Sequence, residues 1–123
     1  MQHDRFIRGA LWATVVLNAM GVLVFIPLAF GRPSPLMPLV VPRFFAAQFG
    51  FIIALFGGVY AWLALQPRIN RALLLVGGLG KLGFFALTLV YALAGDVPAG
   101  MALNALPDLV FAVIFLGWAR TPR

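Results

Sequence analysis

Four long apolar stretches, at residues 9–31, 44–66, 72–95 and 97–119, occupy most of this chain, and only two charged side chains, Lys81 and Asp108, fall inside them. About 20 residues of helix, rising about 1.5 Å each, match the roughly 30 Å hydrocarbon layer of a bilayer. Hydrocarbon leaves backbone amides without partners, so a segment that enters it satisfies them within its own helix. The composition points the same way: 63% of the residues are hydrophobic and 10% charged, a balance foreign to a soluble domain of 123 residues. The expected fold is all-α, an integral-membrane antiparallel four-helix bundle, with residues 1–123 forming a single four-span transmembrane domain.

Arginines set the expected orientation. Arg5 and Arg8 precede the first stretch, Arg68 and Arg71 lie between the second and third, and Arg120 and Arg123 follow the fourth. The opposite side holds Arg32, Arg43 and Asp96. By the positive-inside rule both termini are cytoplasmic. The first stretch is too long for a signal peptide and no small-residue cleavage site follows it, so it reads as a retained helix.

The formal charge of +6 has no basic run or soluble face to carry it, which argues against nucleic acid as a partner. The sequence has no cysteine and one histidine, His3, outside the apolar stretches. Thiol redox chemistry, disulfides, iron–sulfur ligation and a haem held between intramembrane histidines are therefore excluded, and no metal site or cofactor is expected.

The connections differ in character. The second, Gln66-Pro67-Arg68-Ile69-Asn70-Arg71, and the third, Gly95-Asp96-Val97-Pro98, are short and carry helix-stopping and turn residues, which makes consecutive helices antiparallel neighbours. The first, residues 32–43, is rich in proline yet apolar, and reads as a stiff connector along the outer interface in preference to a lid. No repeat relates the two halves of the chain, so an inverted-repeat transporter within one polypeptide has no support.

A charge in hydrocarbon costs at least about 2.5–3.5 kcal/mol, which makes Lys81 and Asp108 a candidate site. Counted from the cytoplasmic ends, Asn18 and Lys81 lie nine residues in and Asp108 eleven, so all three sit roughly 14–17 Å deep, near the midplane. Companions at helical spacing extend them into stripes: Thr14 with Asn18, Asn104 with Asp108, and Lys81 with Phe84, Thr88 and Tyr91. Gln48 joins from the second helix, nearer the outer surface. The stripes are expected to turn inward and form a polar seam that either fixes helix register or lines a binding site.

Two local features bear on that seam. Side chains lean toward their own helix N-terminus, so Lys81 and Asp108 lean apart in antiparallel helices. The lysine stem reaches about 6 Å, short of either surface, so Lys81 needs a partner or water, or must give up its proton. Pro107 removes an amide beside Asp108 and is expected to bend the fourth helix there, while Pro27 bends or ends the first.

Gly77-Gly78-Leu79-Gly80-Lys81-Leu82-Gly83 lacks the spacing and the Ser/Thr of a phosphate loop. Those glycines, with Gly57 and Gly58, instead permit close helix approach and dimerisation. Trp12, Trp62, Trp118, Tyr60 and Tyr91 fall mostly toward the ends of the stretches, as an interfacial aromatic belt requires.

The layout of four short-looped helices, with Gly80-Lys81-Leu82-Gly83-Phe84-Phe85 in the third and Leu106-Pro107-Asp108-Leu109-Val110-Phe111 in the fourth, resembles the small bacterial membrane proteins of the DoxX-like group. The resemblance implies a bacterial inner-membrane location and an accessory link to quinone or redox complexes. It carries over no active-site residue.

The leading expectation is a small non-enzymatic membrane protein, either an accessory subunit or a binder of a small apolar, quinone-like molecule, embedded in the bilayer as a homo-oligomer or within a larger membrane complex. Two alternatives remain: a proton- or ion-linked small-molecule transporter acting as an oligomer, and a lipid or quinone enzyme using Lys81 and Asp108 as acid and base.

Overall fold

The computed structural model describes residues 2–121, without the side chains of Gln2 and His3; His3 as a side chain and Arg123 thus lie outside the described residues. Among those residues the architecture is all-α. Helix α1 spans Gln2–Ala29, α2 Arg43–Leu65 and α3 Arg71–Leu93, followed by a short α4 at Ala99–Asn104 and α5 at Leu106–Ala119.

Four helical segments are long and apolar enough to cross a membrane: Asp4–Ala29, Arg43–Leu65, Arg71–Leu93 and Ala99–Ala119, of 26, 23, 23 and 21 residues. At about 1.5 Å per residue the shortest is roughly 31 Å long, enough for a hydrocarbon layer of about 30 Å. Only 22%, 17%, 22% and 17% of their most apolar windows is buried within the chain. Phe51, Leu55, Leu79 and Val113 are among the large apolar side chains left exposed. Faces of this kind are unstable against water and need an apolar surrounding.

The helices end where their sequences say they should. Gly31 and Gly95 take positive φ angles of 75° and 84°. After α1, the Arg32 amide donates to the Pro27 carbonyl at 2.8 Å and the Gly31 amide to Leu28 at 3.0 Å; after α3, the Asp96 amide donates to Tyr91 at 2.9 Å and the Gly95 amide to Ala92 at 3.1 Å. This pairing of 6→1 and 5→2 bonds is the Schellman closure, which needs a left-handed residue that glycine supplies without steric cost. At the start of α3, the Asn70 side chain accepts from the Leu73 amide at 3.1 Å, and the Asn70 amide donates to Gln66 Oε1 at 3.2 Å.

Two boundaries differ from the sequence expectation. Helix α1 starts at Gln2, not residue 9, so Arg5 and Arg8 belong to its first turns, and Pro27 lies inside it near the C-terminal end. The fourth stretch is interrupted at Ala105, a turn residue with φ −88° and ψ −5° that closes α4 and opens α5. Pro107 stands in the first turn of α5, where its missing amide is one that no helix N-terminus uses. The proline therefore starts a new helix instead of bending one that continues.

By packing, the described chain groups into two compact units, one of the start of α1 up to Ala10 with the chain from Leu63 onward, the other Leu11–Trp62. In the second unit α1 and α2 run antiparallel. A Cβ on Gly57 would meet Asn18 at 3.3 Å and one on Gly21 would meet Ile53 at 3.3 Å, while the Phe25 and Phe49 rings stack with centroids 5.9 Å apart. In the first unit α3 and α5 run antiparallel, Gly78 lying so close to α5 that a Cβ would stand 2.9 Å from Leu116 Cγ and 3.3 Å from Phe115 Cβ. Leu74 of α3 and Ala112 and Phe115 of α5 are fully buried.

Candidate functional site

Lys81 lies mid-way along α3, and its Nζ donates to Asp108 Oδ1 at 2.8 Å. The two side chains are 6% and 18% exposed, so the bond is shielded from bulk solvent. The expected opposite lean does not separate them. Because the helix restarts after Ala105, Asp108 falls in the first turn of α5, and its amide bonds the Ala105 carbonyl at 3.0 Å. A carboxylate there is stabilised by the positive end of the helix dipole. The ammonium also stands 6.0 Å from the centroid of Phe111, one turn further along α5, at the outer limit of a cation–π contact.

Two other seam residues bond backbone carbonyls. Asn18 donates through Nδ2 to the Ile53 carbonyl of α2 at 2.9 Å. An amide that reaches a backbone carbonyl inside a helix ties α1 to α2 side by side. Thr14, one turn earlier, is fully buried. The Thr88 hydroxyl donates to the Phe84 carbonyl of its own helix at 2.8 Å, the back-bond by which a helical threonine satisfies itself without a cross-helix partner. Tyr91 is about half exposed at 51%, and Gln48 and Asn104, the last residue of α4, are exposed. Of the polar residues expected in the seam, the structure brings Lys81 and Asp108 into direct contact.

Two arginines find acceptors on the backbone. Arg8 donates through Nη1 to the Ala64 carbonyl at 2.6 Å and through Nη2 to the Pro67 carbonyl at 3.1 Å. Arg71 donates to the carbonyls of Ala119 at 3.0 Å and Trp118 at 3.4 Å, and to that of Thr121. Its guanidinium lies 4.7 Å from the Trp118 ring centroid. Each thus satisfies the orphan carbonyls at the C-terminal end of a helix, α2 and α5 respectively, where positive charge is also favoured by the dipole. A fork of five donors suits this task better than a lysine would. Their acceptors are backbone groups, which leave no mark in residue type.

Among the described residues no group of three or more His, Cys, Asp or Glu side chains is placed to hold a metal ion. The arrangement at Lys81 and Asp108 can serve as an ionic clasp between α3 and α5, or as an acid poised at a helix break. No protein-family model, curated protein or solved structure matches the chain.

Proposed function

We propose that this chain is a non-enzymatic four-span protein of the bacterial inner membrane, with both termini cytoplasmic, that serves as an accessory subunit or binds a small apolar molecule. The observation that carries the reading is that the only two charges within the apolar stretches bond each other at 2.8 Å. Pairing removes much of the cost of placing either in hydrocarbon. The largely unburied apolar faces support insertion, and the excess of arginine at one end supports the orientation. The bacterial location and a link to quinone or redox complexes are what the resemblance of the four-helix layout to DoxX-like proteins implies. Purification in mild detergent followed by mass spectrometry of bound lipids, quinones and proteins tests this. A stoichiometric apolar molecule or partner subunit is expected, and bulk phospholipid alone would count against it.

A second reading rests on the break at Ala105, which sets Asp108 in the first turn of α5. It is a proton- or ion-linked small-molecule transporter acting as an oligomer, with Asp108 exchanging the ion and Lys81 tuning it. Proteoliposome flux unchanged by Asp108→Asn rules it out.

A further inference from the structure

The unit made by the start of α1 and the chain from Leu63 gathers arginines at one end. Arg8 is bonded to the carbonyl of Pro67, the residue before Arg68. Arg71 is bonded to the carbonyls of Ala119 and Thr121, the residues on either side of Arg120. Arg5 lies three residues before Arg8 in α1, on the same face by helical spacing. Five described arginines, Arg5, Arg8, Arg68, Arg71 and Arg120, thus share this end with one carboxylate, Asp4.

The five divide by use. Arg8 and Arg71 are half-buried and direct their donors to helix carbonyls. The guanidiniums of Arg5, Arg68 and Arg120 are exposed and make no hydrogen bond or ion pair with the described residues. The same unit leaves apolar side chains exposed, Phe6 in the first turns of α1 and Leu65 at the end of α2. Free guanidiniums beside apolar surface match a molecule with an anionic head and a hydrocarbon body.

We infer that this end binds the phosphodiester headgroup of an anionic phospholipid, with Arg5, Arg68 and Arg120 as its donors and Phe6 and Leu65 against its acyl chains. A single headgroup shared among them would tie together α1, the link between α2 and α3, and the end of α5. The inference rests on the reading of the chain as membrane-embedded. It does not depend on an apolar ligand or partner subunit, so a preparation lacking both would leave the lipid preference to be read on its own.

Full-length protein purified in neutral detergent is mixed with phosphatidylglycerol, with phosphatidylcholine, or with inorganic phosphate. Bound lipid is read by native mass spectrometry and the thermal midpoint serves as a second readout. Each basic residue at an anionic surface contributes roughly fivefold in affinity, and three together on the order of 100-fold at low salt. Phosphatidylglycerol is therefore expected to be retained over phosphatidylcholine by up to about that factor, with the preference shrinking as salt is raised. Arg5→Gln, Arg68→Gln and Arg120→Gln together abolish the preference, while Arg32→Gln with Arg43→Gln, after α1 and at the start of α2, leaves it unchanged. If the triple variant does not fold, the single variants are read instead, each weakening retention roughly fivefold. Equal retention of the two lipids, a preference kept in folded Arg5, Arg68 and Arg120 variants, or equal loss in the control pair overturns the proposal. Displacement by millimolar inorganic phosphate also overturns it, by assigning a free-anion site.

Discussion

Lys81 Nζ lies 2.8 Å from Asp108 Oδ1, and the acid stands three residues after a helix break. Ala105 ends one helix and Pro107 helps start the next, so the carboxylate sits at the positive end of α5 when it meets the ammonium. The pair is therefore an arrangement of three parts: lysine, acid and break.

Pro107→Ala restores an amide and removes the ring, which lets α4 and α5 join across Ala105. Circular dichroism should show a small gain in helix, and the energetic coupling between Lys81 and Asp108 should fall because the acid loses its place in a first turn. An unchanged coupling would show that the break plays no part in the pair.

Gly78 and Gly80 provide a matched comparison within α3. A methyl at Gly78 would stand 2.9 Å from Leu116 Cγ and 3.3 Å from Phe115 Cβ, whereas one at Gly80 meets nothing within 4 Å. Overpacking of this kind typically costs about 1–3 kcal/mol. Gly78→Ala is expected to lower the thermal midpoint in detergent, and Gly80→Ala to leave it unchanged or slightly raised.

Arg71→Lys keeps the charge and loses the planar guanidinium whose Nη1 reaches the Trp118, Ala119 and Thr121 carbonyls. Arg71→Gln loses the charge as well. Hydrogen bonds to charged groups are worth about 1.5–3 kcal/mol each when shielded, less here because the site is half-buried. Both variants should fray the end of α5, read as faster amide exchange at residues 117–121 and a change in Trp118 fluorescence. Identical exchange in the lysine variant would show that charge alone suffices.

Much of the fold was legible because the second and third apolar stretches each announce a helix of nearly their own length. The expected 44–66 and 72–95 became Arg43–Leu65 and Arg71–Leu93. The early start of α1 was hidden because Arg5 and Arg8 read as flanking charge, yet a helix continues past its apolar run whenever its next turns find partners, as Arg8 does at Ala64. Pro107 signalled a disturbance in the fourth stretch, but whether a proline bends a helix or opens a new one depends on the residues before it.

The site was legible in part for a different reason. Lys81 and Asp108 stand out by cost alone, whereas their contact depends on the backbone between Asn104 and Leu106. Thr88 could not be told from a seam residue by spacing, since a hydroxyl that bonds its own helix has the same periodicity as one that bonds a neighbour. Arg71 was readable as charge but not as a clamp, because its acceptors are carbonyls far along the chain.

A double-mutant cycle on Lys81→Met and Asp108→Leu, read as stability in mild detergent, tests the pairing most directly. Removing one partner of a shielded ion pair costs about 3–5 kcal/mol, while replacing both by apolar groups is close to neutral. The double variant should therefore be more stable than either single variant, with a large coupling energy. Losses that simply add, with no coupling between the two positions, would contradict the account.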